Sequence, residues 1–144
     1  MKLVIQRVSR AEVRVGGRTV SRIGTGLVVL VGLEDTDTEA DLIRAAHKLV
    51  SLRVFADERG QMNLGLEEAG GDILAVSQFT LAGSIRKGRR PSFDHAMRSD
   101  LARPLFERFV ELLRADGARV QTGVFGALME VELVNEGPAT FLWP

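Results

Sequence analysis

Strands interleaved with two amphipathic helices predict an α+β fold built on a mixed or antiparallel sheet. Three observations carry that expectation. Val- and Ile-rich runs recur at short spacing, only two stretches keep a 3.6-residue apolar period, and those two do not alternate with strands as a regular βαβ array requires. The 144 residues suit one domain, residues 1–144, with no internal repeat, linker or low-complexity segment. With 45% apolar and 26% charged residues, a chain of this length can bury a proper core.

Met1 to Val8 and Ala11 to Val15 read as strands, and Gly16-Gly17 supplies a permissive hairpin turn into Arg18 to Ile23. Leu27 to Val31 is a continuous apolar run, the pattern of a strand covered on both faces. Acids then gather around Thr36, and Thr36 with Glu39 has capping-box spacing, so a helix is expected to start there. Leu42, Ile43, Ala45, Ala46, Leu49 and Val50 supply its buried stripe up to about Ser51. His47 lies beside the stripe with no metal-ligand partner at suitable spacing and reads as an ordinary helix residue. Arg53 to Phe55 and Asp72 to Leu81 read as strands, the first followed by the polar turn Asp57 to Gly60. Ala82 to Arg98 is aperiodic. A second helix follows, capped by Ser99 or Asp100, with Pro104 in its first turn and Leu105, Phe106, Phe109, Val110, Leu112 and Leu113 buried. Asp116-Gly117 ends it, and Arg119 to Thr122, Leu128 to Val134 and Thr140 to Trp143 complete the chain as strands.

Composition narrows the chemistry. The chain has no Cys and only two His, which excludes thiol nucleophiles, Cys-based zinc sites and an all-His metal site. No residue cluster requires a metal or another cofactor. Arg7, Arg10 and Arg14 interrupt any signal-peptide core, and no apolar run approaches a membrane span, so no membrane association and a cytoplasmic location are expected. Nineteen basic residues balance nineteen acidic ones, yet the charges are unevenly placed. Residues 1–33 carry six basic side chains against Glu12 alone, and Arg86, Lys87, Arg89 and Arg90 crowd one aperiodic loop. Such a loop reads either as a solvated face or as a phosphate contact, since Arg grips two oxygens at once.

Three further segments stand out. Ser77-Gln78-Phe79-Thr80-Leu81 closes an apolar strand with polar side chains, and period two places Gln78 and Thr80 on one face. The segment could offer an amide and a hydroxyl to a ligand, or satisfy nearby backbone. No His lies near it in sequence, so a conventional triad is poorly supported. Phe125, between Gly123 and Gly126, suits either core packing or stacking on a base. Asn135 to Thr140 reads as a turn, and sequence alone favours a trans bond at Gly137-Pro138.

Taken together, Ser77 to Leu81, Arg89-Arg90-Pro91-Ser92-Phe93, Gln121-Thr122-Gly123 and Asn135 to Thr140 resemble the D-aminoacyl-tRNA deacylase family, along the whole chain from Ile5-Gln6-Arg7-Val8 onward. The resemblance implies a compact β-barrel-like homodimer that hydrolyses the ester between a D-amino acid, or mischarged glycine, and the terminal adenosine of tRNA. It further implies a cis Gly137-Pro138 bond projecting into the partner's pocket and rejecting L side chains, so that the active site lies at the subunit interface. Ser77, Gln78, Phe79 and Thr80 become the catalytic segment, Phe125 and Met129 the adenine contacts, and Arg7 the residue orienting the Gly-Pro loop. Arg86, Lys87, Arg89 and Arg90 become tRNA phosphate contacts. Two mechanisms follow: backbone N–H donors near Phe79 and Thr80 with help from the substrate's 2′-hydroxyl, or Thr80 as nucleophile. Glu136 and Ala139 depart from the common Asn-Asp-Gly-Pro-Val-Thr pattern, and His95 matches no family motif. An RNA-binding module without catalysis and an esterase for other acyl nucleotides are the competing readings.

Overall fold

The computed structural model describes residues 1–144. Its strands are β1 (Lys2–Val15), β2 (Arg18–Ile23), β3 (Gly26–Gly32), β4 (Phe55–Ala56), β5 (Met62–Leu64), β6 (Asp72–Ser77), β7 (Val120–Thr122) and β8 (Met129–Trp143). Helices α1 (Glu39–Val50) and α2 (Ser99–Ala115) and a 3-10 turn, Phe79–Ala82, complete it. β1 pairs antiparallel with β2, β3 and β8, while β3, β6 and β7 run parallel, so the sheet is mixed. Parallel neighbours need long crossovers, and the two helices lie within them, between β3 and β6 and between β6 and β7. β2 leans back on β6 and β7, which curls the sheet into a nearly closed barrel.

Two cores follow from side-chain alternation. Leu27, Val29 and Val31 of β3 face the helices with Leu42, Leu49, Phe109 and Leu113, whereas Val28 faces the barrel interior with Leu74 and Val76. β1 serves both cores because its pairing with β8 shifts register around Val8. Leu3 and Ile5 therefore meet the helices, while Val8, Ala11 and Val13 fill the barrel.

Several local expectations are corrected. β1 is one strand where the sequence reads as two, because β8 pairs with both of its halves, across register shifts on either side of Val8. β8 likewise absorbs the expected turn at Asn135 to Thr140, as a bulge between its pairings Asn135 with Val8 and Thr140 with Gln6. The capping box is Thr38 with Asp41, not Thr36 with Glu39: Asp41 Oδ2 accepts from Thr38 N at 2.8 Å. The acids before it, Glu34 and Asp37, instead bind the Met1 ammonium. Arg98, not Ser99 or Asp100, precedes α2, since its carbonyl accepts from Leu101 N and Ala102 N. That places Pro104 in the second turn. The short strand expected at Arg53 to Phe55 is Phe55–Ala56, paired with β5, which the sequence did not reveal.

The basic bias of residues 1–33 is largely neutralised by pairing. Arg22 and Arg14 bind Glu12, Arg10 and Arg14 bind Glu132, and Lys2 binds Glu34. Glu12 and Glu132 face each other across β1 and β8, a repulsive placement that Arg14 bridges. Hydrogen bonds from Arg22 and then Arg14 hold the Glu12 carboxyl below its ordinary value, and Arg10 and then Arg14 do so for Glu132. A depressed carboxyl contributes stability that is present above its unfolded value and lost as pH falls through the folded one. Urea midpoints are therefore expected to fall as pH drops below about 4.5, with Glu12→Gln flattening that decline. An acid limb identical in the variant and the parent would show that this cluster contributes nothing.

Candidate active site

A cavity of about 520 Å³ opens at the carboxyl ends of the parallel strands β3 and β6, beside the first turns of α2. Ligands collect at such strand ends because the crossovers leave a crevice there. Val31, Leu33, Val76 and Ser77 form its floor, and Met97, Ser99, Ala102 and Phe106 line the helix side. The segment Phe125 to Met129, after β7, forms the opposite wall with Val131. No lining residue carries an ionisable side chain. The polar groups come from Ser77, Gln78, Ser99 and the backbone, so a reaction here relies on positioning and dipoles rather than a protein carboxylate or imidazole.

The strand expected to reach Leu81 stops at Ser77, and the chain turns into the 3-10 turn. The period-two faces assigned to Gln78 and Thr80 are therefore lost. The two side chains meet by a local bond instead, Gln78 Nε2 donating to Thr80 Oγ1 at 2.5 Å. Ser77, Gln78 and Phe79 line the cavity, while Thr80 is exposed just outside it. As the first N–H groups of the turn, those of Phe79 and Thr80 precede its internal ladder, which begins with Leu81 N donating to Gln78 O at 3.2 Å. Phe125 is half-buried, with Phe106 5.9 Å away ring to ring and the Arg103 guanidinium 4.8 Å above it. Phe125 and Met129 thus both reach the cavity from the far wall.

Gly137 and Pro138 do not line this cavity. They project from the exposed bulge of β8, where their peptide bond is cis, unlike the trans bond that sequence statistics favour. The bulge is braced on several sides. Arg7 Nε donates to Glu136 O at 3.0 Å and its Nη1 to Val54 O at 2.5 Å. Asn135 Oδ1 accepts from Ala139 N at 2.7 Å, and Asn135 Nδ2 donates to Thr140 Oγ1 at 2.8 Å. Arg86, Lys87, Arg89 and Arg90 stand exposed with no ion-pair partner. His47 and His95 are both on the surface, away from the cavity. No group of three His, Cys, Asp or Glu is arranged to hold a metal, and no helix is long and apolar enough to cross a membrane.

A family model described as D-Tyr-tRNA(Tyr) deacylase matches residues 4–144. The chain belongs to this deacylase family. A relative from Symbiobacterium thermophilum named D-aminoacyl-tRNA deacylase is 57% identical over 142 residues, covering 99% of this chain and 94% of the relative. Another of that name from Geobacter sulfurreducens is 55% identical over 142 residues, with 99% and 93% covered. Among solved structures, a c-Myc DNA unwinding element binding protein superposes with TM-score 0.94 at 40% identity, covering 100% of this chain and 98% of the other. A probable eukaryotic D-amino acid tRNA deacylase shares the fold with TM-score 0.84 at 24% identity, over 99% and 97% of the two chains.

The cavity is also lined by residues that the sequence did not mark as site residues, among them Val31, Leu33, Met97, Ser99, Ala102 and Leu128. Leu128 is apolar yet 94% exposed, a feature that only the folded chain reveals. The bracing of the β8 bulge is testable through Arg7. Arg7→Ala is expected to lower stability to urea by roughly 1–3 kcal/mol, as two guanidinium hydrogen bonds to backbone are lost. Arg7→Lys should not restore it, because an ammonium lacks the fork that reaches both carbonyls. An unchanged urea midpoint in Arg7→Ala would show that the two bonds carry no net stability.

Proposed function

We propose that this protein hydrolyses D-aminoacyl-tRNA, and glycine mischarged on tRNA, releasing the free amino acid and tRNA. The observation that carries this reading is an apolar cavity with the Ser77 hydroxyl and Gln78 amide on one side, aromatic and thioether surface on the other, and no ionisable side chain in its lining. An aminoacyl ester is labile, and its neighbouring ribose 2′-hydroxyl can help activate water, so the protein needs chiefly to orient the ester. The terminal adenine rests against Phe125 and Met129. The N–H groups of Phe79 and Thr80 receive the oxyanion as water adds to the ester carbonyl, with Ser77 and Gln78 orienting the acyl group. Collapse of the tetrahedral adduct breaks the bond to the ribose oxygen, which leaves protonated.

Selectivity is assigned to a homodimer in which Gly137 and Pro138 of the partner subunit enter the cavity and take the α-amino group on backbone carbonyls. The exposed, braced bulge of β8 fits that role, since it projects from its own subunit without touching the cavity there. A rigid wall at that point leaves no room for an L side chain, so discrimination comes from exclusion. A tRNA substrate places the enzyme in the cytoplasm. Incubation with D-tyrosyl-tRNA and L-tyrosyl-tRNA tests the reading: the D ester is expected to disappear with kcat/KM about a hundredfold or more above that for the L ester. Binding without hydrolysis would favour an RNA-binding module, and equal loss of both esters an unselective esterase.

The Thr80 hydroxyl accepts a bond from Gln78 and touches no base, which supports positioning over nucleophilic attack. Thr80→Ala is accordingly expected to retain single-turnover hydrolysis within about tenfold of wild type, the scale of one lost hydrogen bond. A folded, tRNA-binding variant with no measurable turnover would make Thr80 the nucleophile.

A further inference from the structure

The Arg86–Arg90 loop is not an independent appendage. Ser84 and Ser92 close its neck, each N–H donating to the other's carbonyl at 2.7 and 2.9 Å. One side of the neck continues through Gly83 into the 3-10 turn, with Gly83 N donating to Thr80 O at 3.0 Å. The other side continues into Phe93, whose ring stacks on Phe79 at 5.1 Å with a tilt of 58°. Gly83 permits the approach, because a Cβ there would lie 2.8 Å from Phe93 Cε1 and 2.9 Å from Thr80 O. Beyond Phe93, Met97 N donates to Leu33 O at 3.0 Å, and both residues line the cavity. Any shift of the loop therefore reaches the turn through an aromatic contact as well as through the chain.

We propose that Phe93 is a positioning residue, coupling the docking of nucleic-acid phosphates on the Arg86–Arg90 loop to the placement of Phe79 in the cavity and of the Thr80 N–H beside it. The proposal rests on the deacylase reading and on phosphate contact by the loop. Four cations without carboxylate partners form a local anion-binding surface, and Phe93 is the side chain that ties its base to the turn. Phosphate contact then settles the neck, and the neck holds the Phe79 ring and the adjoining N–H groups in the orientation that the ester needs. With a substrate lacking the tRNA body, the Phe79–Phe93 contact is present but nothing docks on the loop to fix it, so the turn relies mainly on its own hydrogen bonds and on Gln78.

The test is a double-mutant cycle on the full-length enzyme, combining Phe93→Ala with the pair Arg89→Ala and Arg90→Ala. D-tyrosyl-tRNA and D-tyrosyl-adenosine serve as substrates. Phe93→Ala is expected to lower kcat on D-tyrosyl-tRNA roughly three- to tenfold, with KM little changed, and to alter D-tyrosyl-adenosine turnover by less than about twofold. Phe93→Tyr, which keeps the ring, should restore the rate. In the background without Arg89 and Arg90, the Phe93 effect on tRNA should shrink to less than about twofold. Phe93→Leu takes the place of the Ala variant if that protein fails to fold. Equal losses on both substrates, additive effects or an unchanged kcat overturn the coupling. The salt dependence of tRNA binding separates the premises: an unflattened slope in the Arg89/Arg90 variant removes the phosphate contact and the coupling with it. Absence of D-tyrosyl-tRNA hydrolysis by the parent enzyme refutes the deacylase reading itself.

Discussion

The double-sided burial of β3 is the constraint on which the rest of the molecule depends. Its side chains enter both cores, so β1 and β6 must flank it and a layer must cover each face. The helices supply one layer and the curled barrel the other. The same strand sets the site. At its end, a Cβ on Gly32 would meet Leu81 Cβ at 2.7 Å and Gln78 O at 3.0 Å, so only glycine lets the 3-10 turn settle over the strand. Placement of Gln78 and Phe79 at the cavity, with Thr80 beside it, is thus a consequence of core packing.

A cavity built this way draws its chemistry from what strand ends and turns offer, namely backbone N–H groups, amides and hydroxyls. Such groups are preorganised by secondary structure and need no unusual protonation state. The ionisable groups are elsewhere. The carboxyls held below their ordinary values at Glu12 and Glu132 belong to a network on the outside of the barrel, where they offset neighbouring arginines. With two surface histidines and no cysteine, the proposed ester hydrolysis draws instead on positioning and on a hydroxyl of the substrate.

Charge shows how far a linear reading carries. Counting residues 1–33 suggests a basic surface, yet strand pairing brings Glu12 beside Arg22 and Glu132 beside Arg10 and Arg14. The loop cations Arg86 to Arg90 gain no such partners, so the basic run that remains unpaired is the one whose neighbours in sequence are also its neighbours in space.

The fold class was legible in the sequence because it depends on periodicity, which is local: Leu42, Ala45, Ala46 and Leu49 of α1, Phe106, Phe109, Val110 and Leu113 of α2 and the apolar run of β3 are buried as expected. Ile43, counted in the α1 stripe, is instead exposed because it lies one position off the face that α1 buries. Ser77 to Thr80 was legible as polar residues closing an apolar strand and Phe125 as an aromatic between Gly123 and Gly126, whereas Met129 was reached only through the family resemblance. Where β1 and β8 continue through apparent breaks, where β6 stops and which residue caps each helix were not legible. The first two are decided by pairing between segments more than a hundred residues apart and by the room left beside Gly32, and the caps by local backbone bonds such as those of Thr38 with Asp41 and of the Arg98 carbonyl. Sequence alone determined which residue types were available for chemistry. Only the tertiary structure decided that Ser77 and Met129 share one cavity while Gly137 and Pro138 face away from it, because a long paired strand fixes the direction in which its bulge projects.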